Sequence, residues 1–504
     1  MSMKLLAAVA IMLAATSAII PAPLGASSDR QAVQSELEGK PGDQEQRATA
    51  LREAVVAVDY WLDQARQYSR IPALSVALVN GQQTVWSKGY GYTDRAMRQP
   101  ATADTIYSIC SISKLFTAVA FMQQWEKGTV RLDEPVRTYL PWAQFAPDQR
   151  DSMPVTMRGL LTHSAGLPRE AVKPYWTGPD FPFPSQDEIH AGVAGQHLLY
   201  PASTTFQYSN LGLTLVGETV EKVTGTPYGE YVSTNILAPL DMNNTRPFIP
   251  TRLYGKQLAV GWGSLEPDGT RPRVKLFDAK GINPAAGYSS SVEDLAKFAR
   301  WQFRLLQSGQ PELLRASTLR EMHRVHYITP DRRTSWGLGF ANYQMDGREM
   351  VGHGGSCPGY RSSLLIDPSA QMAVAVAINA MDDSTVLARA VGALVAVRLA
   401  TSAFEPPESG AVDLRDYVGI YNGQPWGADF AMLPWAGGLV GIEAGSRGPF
   451  DTMDRFKPLG DDRFRVVTSS GEERDIVTFH RDASGKVTRM ERFGQFTPRR
   501  SSAR

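Results

Sequence analysis

Two β-hairpins set far apart in the chain constrain its fold more than any other feature. The stretch "ALSVALVNGQQTVWSKGYG" places two β-rich runs around Asn80-Gly81, a dipeptide that favours a tight hairpin turn. "YRSSLLIDPSAQMAVAVAIN" repeats the arrangement around Asp367-Pro368. The first hairpin follows "LREAVVAVDYWLDQAR", whose apolar residues recur at helical spacing from Leu51, and the second precedes an apolar helix near residues 382–400. Helix and hairpin at one end, hairpin and helix at the other, predict one antiparallel sheet assembled from both ends of a domain spanning residues 51–400. The middle, residues 105–305, reads as helices and Pro/Gly loops. It predicts a helical subdomain inserted over the sheet, with a cleft between the two.

A chain of 504 residues is too long for that domain alone. "FEPPESGAV", residues 404–412, has linker composition, so residues 401–412 are expected to connect two domains. From 413 to 504 the texture becomes short alternating segments such as "YVGIY", "DRFRVV" and "RDIVTFHRD", which predict a small antiparallel β-barrel. At the other end, Lys4, an apolar run over residues 5–20 and small residues at Ala18 and Gly25-Ala26 predict a signal peptide over residues 1–26. Residues 27–50 are expected to be a polar spacer. The expected destination is the periplasm or the exterior. No later segment is apolar for long enough to span a bilayer, since "VLARAVGALVAVRLA" carries Arg389 and Arg398.

Fifty-two Lys and Arg against fifty-one Asp and Glu argue against a nucleic-acid partner and against a polybasic membrane surface. The two cysteines, Cys110 and Cys357, read as free, half-buried thiols; a disulfide between them is the sharper alternative that sequence does not carry. Oligomeric state is not legible.

Three short patterns carry chemistry. In "YSICSISKLFTAVAFMQQW", Ser111 and Lys114 stand three apart at the mouth of an apolar helix, so their side chains can meet. A lysine desolvated there has a lowered pKa and can take the proton from a serine hydroxyl, making it a nucleophile. In "FQYSNLGLTLVGETVEKVTG", Tyr208 could relay a proton and Asn210 could hold a substrate amide; an ordinary helix cap is the plainer alternative. In "MVGHGGSCPGYRSSLLI", His353-Gly354-Gly355 leads into a strand whose N–H groups could serve an acyl oxygen, or is simply a glycine turn. His323 and His326 in "EMHRVHY" read as exposed or capping residues, and no metal site is expected. Trp176, Phe181 and Phe183 could line an entrance or pin a long loop.

Taken in order and spacing, these patterns resemble the penicillin-binding protein and class C β-lactamase family over roughly residues 50–400. "VTMRGLLTHSAGLP", "PAAGYSSSVEDLAKFAR" and "SWGLGF" look like further family stretches. The resemblance implies the β-lactamase/transpeptidase-like α/β (α+β) fold and a lipocalin-like C-terminal barrel of a kind that can reach toward the cleft. It implies acylation of Ser111, with Lys114 and Tyr208 sharing the base and acid work. Asn210, His353, Gly354 and Gly355 would bind substrate, and the N–H groups of Ser111 and Ser356 would form an oxyanion hole. His163 would be structural. No metal or organic cofactor is implied.

Where many relatives carry Lys-Thr-Gly, this chain has His353-Gly354-Gly355. A neutral imidazole anchors a substrate carboxylate less well than an ammonium. The expected function is therefore an exported peptidase or amidase on short peptides, including D-residue-containing or linearised cyclic ones. A carboxylesterase is the alternative, followed by a β-lactamase or a slowly deacylating penicillin-binding sensor. The expected partner is a small peptide or ester substrate.

Overall fold

A computed structural model describes residues 41–500, apart from 95, 97, 146–150, 172, 173, 346, 447, 451 and 452. The expected signal peptide lies outside the described residues. Residues 41–50 belong to an N-terminal unit and are helical; from Leu51 onward the chain packs as one unit.

Helix α1, Pro41–Tyr68, starts ahead of the expected Leu51, so the end of the proposed spacer is helical. Pro41 opens the helix, where no amide partner is needed, and Asp43 complements the dipole in the first turn. Gln44, Glu45, Gln46 and Arg47, within the proposed spacer, are good helix formers.

The elements that position the site follow in order. They are β1 (Ala73–Asn80), β2 (Gln83–Asp94), β3 (Tyr107–Cys110), α2 (Ser113–Glu126) and α3 (Asn210–Thr224). Then come β4 (Tyr288–Ser290), α4 (Val292–Ser308), β5 (Ala341–Met345), β6 (Arg348–Cys357), β7 (Tyr360–Asp367), β8 (Met372–Ile378) and α5 (Ser384–Ala400). Both hairpins form as expected, and β1 pairs antiparallel with β8, joining the two ends of the domain. Among the described residues the sheet has nine strands. Its central order is β2-β1-β8-β7-β6-β5, with short strands at both edges.

Period-2 alternation sorts this sheet into two faces. Ala73, Ala77, Ala373, Ala375 and Ala377 point into the core that also holds α2, α3 and α4. Leu74, Val76, Leu78, Val374 and Val376 point the other way, toward α1 and α5.

Eight further strands, Gly419–Tyr421 through Gln495–Pro498, form an antiparallel sheet that curls toward closure. Asn422 N donates to Pro498 O and Arg500 N to Ile420 O, each at 2.8 Å, bringing the first and last strands together. The barrel is filled by its own side chains, among them Tyr421, Phe464 and Phe479. Its Trp435, Val440 and Ile442 share a core with Trp61 of α1, Leu394 of α5 and the outer face of the large sheet. Within one chain the barrel is thus attached behind the sheet, on the face opposite α2, rather than reaching toward the cleft.

Glu53 ties this junction together. Its Oε2 accepts from Arg398 Nε at 2.5 Å and from Ala436 N at 2.8 Å. The Arg398 side chain is only 8% exposed. Glu53→Ala is expected to cost about 3 kcal/mol, because it leaves a buried guanidinium unpaired. A thermal melt in which the variant matches wild type would contradict that assignment.

Candidate active site

Strand β3 ends at Cys110, the chain turns, and α2 begins at Ser113. Ser111 is left half-buried at the mouth of the helix, with Lys114 fully buried one turn inside. Lys114 Nζ lies 3.1 Å from Ser111 Oγ. It also lies 2.7 Å from Asn210 Oδ1 and 2.7 Å from Ala285 O. Burial holds the Lys114 pKa well below its ordinary value; the Arg169 charge adds to that depression and Glu170 opposes it. An uncharged amine has two N–H groups and one lone pair. Two acceptors at 2.7 Å take the N–H groups, which leaves the lone pair facing the Ser111 hydroxyl. The arrangement is built for general-base activation of that hydroxyl.

The Tyr208 ring lies 4.8 Å from Lys114 Nζ. Burial pushes its phenol above the ordinary value, while a hydrogen bond with Ser111 and the charge of Arg169 act the other way. Burial thus favours the uncharged form of both phenol and amine. The phenol can pass a proton to a departing group. His163 stacks on the Tyr208 ring at 4.3 Å between centroids, and its Nδ1 accepts from Ser209 N at 3.1 Å. It orients Tyr208 rather than reacting. Ser209 caps α3 through Gly212 N, so the cap and the chemistry coexist in one tripeptide.

Asn210, expected to hold substrate, has both ends of its amide engaged within the protein. Its Oδ1 accepts from Lys114, and its Nδ2 donates to Glu170 Oε1 at 2.7 Å. Glu170 and Arg169 were not singled out from the sequence. They directly follow "HSAGLP", and that adjacency to a family stretch was the one signal available. The Arg169 guanidinium sits 4.9 Å over the Tyr208 ring, and its Nε donates to Glu170 Oε1 at 3.1 Å. The backbone O of Arg169 accepts from Asn210 N at 2.7 Å, which bolts the pair to the start of α3.

Opposite charges at these neighbouring positions give a test with opposite signs. Removing the negative Glu170 destabilises the ammonium form of Lys114, so Glu170→Gln is expected to move the acid limb of kcat/KM to lower pH. Removing the positive Arg169 stabilises it less unfavourably, so Arg169→Gln should move that limb to higher pH. Shifts in the same direction would contradict the assignment of the limb to Lys114.

On β6, His353 is 4% exposed and packs against Trp336 and Tyr208. Its Nδ1 donates to Gly354 O at 2.5 Å, and its Nε2 is buried without a protein partner. Burial lowers its pKa to about 3, so the ring offers no positive charge at neutral pH. Gly355 is there for close approach: a Cβ at this position would meet Ile109 O and Ser362 Oγ at 2.2 Å. Gly339 of "SWGLGF" has the same reason, since its Cβ would strike Ala118 of α2 at 2.4 Å. Gly354 faces the opposite side of the strand, where the nearest atom to an added Cβ is Thr385 Oγ1 at 3.7 Å.

The cysteines depart from expectation. Cys110 and Cys357 form a disulfide with Cα atoms 5.8 Å apart, not two free thiols. The pairing joins residues 247 apart in sequence, a proximity only the folded chain creates.

The other candidates resolve locally. His323 Nε2 meets Gln302 Oε1 at 3.0 Å, and His326 sits between Arg158 and Glu321, so both are half-buried and tied rather than exposed. Trp176 and Phe183 pack edge to face at 4.8 Å, and Phe183 is buried, so these rings pin their loop.

The sequence model of the Beta-lactamase family matches residues 58–397, which include every residue of this site. "Beta-lactamase-like protein 2" of Dictyostelium discoideum is 27% identical over 327 residues, covering 64% of this chain and 58% of the relative. "Protein flp" of Staphylococcus aureus (strain COL) is 25% identical over 335 residues, covering 64% and 62%. The matches span less than two thirds of these curated relatives. Among solved structures, the octameric penicillin-binding protein homologue from Pyrococcus abyssi superposes with a TM-score of 0.59 at 25% identity. That match covers 88% of this chain and 99% of the homologue. A D-stereospecific amidohydrolase from Streptomyces sp. has a TM-score of 0.53 at 22% identity, covering 65% and 94%, a likeness of fold.

Proposed function

This chain belongs to the β-lactamase family of serine hydrolases, and from that premise we propose that it is an exported peptidase or amidase acting on short peptides through a Ser111 acyl-enzyme. The observation that carries the proposal is the buried Lys114 Nζ, its pKa lowered by desolvation, 3.1 Å from Ser111 Oγ and held by Asn210 Oδ1 and Ala285 O at 2.7 Å each. Ser111 Oγ attacks the carbonyl carbon as its proton passes to Lys114. The N–H groups of Ser111 and Ser356 receive the developing oxyanion. Collapse of the tetrahedral adduct expels the amine, which takes its proton through Tyr208. Water, activated by the same groups, releases the acyl product.

The neutral, enclosed His353 supports peptides over penicillins, because it supplies no cation for a β-lactam carboxylate. The fold shared with a D-stereospecific amidohydrolase supports including D-residues among the substrates. Export is supported by the disulfide, a bond that persists in oxidising compartments.

The test is digestion of a mixed library of short L- and D-containing peptides with free and blocked ends, followed by mass spectrometry. Cleavage of amide bonds is expected, with a defined stereochemical and terminal preference. Turnover of matched esters but of no peptide would overturn the peptidase assignment in favour of a carboxylesterase.

A further inference from the structure

Two strands must bring their N–H groups together to make the oxyanion hole, and those strands belong to different sheets. Ser111 follows β3, which pairs with β4 in a separate two-stranded ribbon through Tyr107 with Ser290 and Cys110 with Tyr288. Ser356 lies on β6 of the nine-stranded sheet. Among the described residues, no ladder of backbone hydrogen bonds therefore joins β3 to β6. The disulfide does cross that gap, and it does so at the adjacent residues: Cys110 immediately precedes Ser111, and Cys357 immediately follows Ser356.

Both half-cystines are enclosed, at 0% and 3% exposure. Two further contacts press the same seam shut. Ser362 Oγ donates to Ile109 O at 2.9 Å, and Gly355 lets that carbonyl approach where a Cβ would meet it at 2.2 Å. Cys110 itself takes φ +51°, a left-handed conformation uncommon for a residue with a side chain, which turns the chain out of β3 into the nucleophile position.

We propose that the Cys110–Cys357 disulfide is a positioning element of the active site, fixing the spacing of the Ser111 and Ser356 N–H donors, in addition to any contribution to global stability. The inference rests on the acyl-enzyme assignment above. Its physical basis is tolerance: oxyanion donors act at 2.7–3.1 Å from the developing charge, and a displacement of about 0.5 Å degrades such a site. A covalent link one residue from each donor restricts their separation to the flexibility of a few bonds.

The experiment compares wild type with Cys110→Ala, Cys357→Ala and the double variant, well below each melting temperature. Rates are normalised to active sites by the acylation burst with a p-nitrophenyl ester. Cys357→Ser keeps a polar group of similar size beside Ser108 Oγ and serves if the alanine variants fail to fold. The expected result is a fall of about tenfold in kcat per active site, with KM within about twofold, a fraction of the loss known for deleting one donor. Single and double variants should fall equally, because each breaks the same bond.

A second readout separates positioning from stability. The wild-type preference for an ester over its thionoester, which presents sulfur to the hole, should shrink in the variants. Unchanged kcat per active site and unchanged ester-to-thionoester ratio, with only a lower melting temperature, would overturn the proposal. If wild type forms no acyl adduct on Ser111 at all, the acyl-enzyme assignment fails and the positioning role falls with it. An adduct on wild type with undiminished variants defeats the positioning role alone.

Discussion

Ser111→Ala is expected to abolish peptide hydrolysis, with a loss on the order of 10⁶-fold in kcat, the scale seen when a hydrolase nucleophile is removed from an intact site. The fold should survive. Ser111 is half-buried at a helix mouth, and its hydroxyl meets Lys114 and Tyr208, both of which keep other contacts. The measurement is the initial rate at saturating peptide beside a melting curve. A variant that melts like wild type and still cleaves at wild-type rate would remove Ser111 from the chemistry. The size of the loss also tells how the remaining groups act. The oxyanion donors polarise the carbonyl and Asn210 holds Lys114, but neither supplies an electron pair to the carbonyl carbon.

The second large effect is expected at Lys114. Lys114→Met keeps the length and apolar stem of the side chain while removing the amine, and should lower kcat for amides by roughly 10²- to 10⁴-fold, the range for a lost general base. The loss should be smaller for an activated ester. A phenolate leaves without a proton, whereas an amine must be protonated to leave. Lys114 touches both Ser111 and, through Asn210, the segment around Glu170. Its removal therefore strands Asn210 Oδ1 and Ala285 O as well. Matched rates on an anilide and a p-nitrophenyl ester test this, and undiminished rates on both would remove Lys114 from the chemistry.

These two residues were the most legible part of the chain. A spacing of three on a helix fixes the mutual position of two side chains from sequence alone, and an apolar helix around a lysine announces its desolvation. The hairpins were legible for a similar local reason, since Asn80-Gly81 and alternating apolar residues specify turn and face together. Tyr208 and Asn210 could be located at the start of α3, yet their partners could not. That Asn210 spends both ends of its amide on Lys114 and Glu170 depends on a loop 40 residues upstream in sequence. Arg169 and Glu170 sit in that loop as two ordinary charges, and no periodicity marks them.

The disulfide was misjudged for a related reason. Two cysteines 247 residues apart carry no pairing signal until β3 and β6 are placed side by side. The barrel shows the same limit at domain scale. Its alternating strands were apparent, but its seat against α1 and α5 follows from apolar surfaces such as Trp435 and Trp61 meeting across the fold. The early start of α1 has a different cause: over residues 41–50 helix propensity outweighs polar composition.

The most direct test of the central claim is to catch the covalent intermediate. Wild-type protein would be mixed with a short peptide amide and, separately, a matched ester, quenched in acid during turnover, digested, and mapped by mass spectrometry. The acyl mass is expected on the peptide containing Ser111, from both substrates, and on no other residue. Turnover with no adduct at Ser111 under rapid quench, or an adduct at a different side chain, would contradict it.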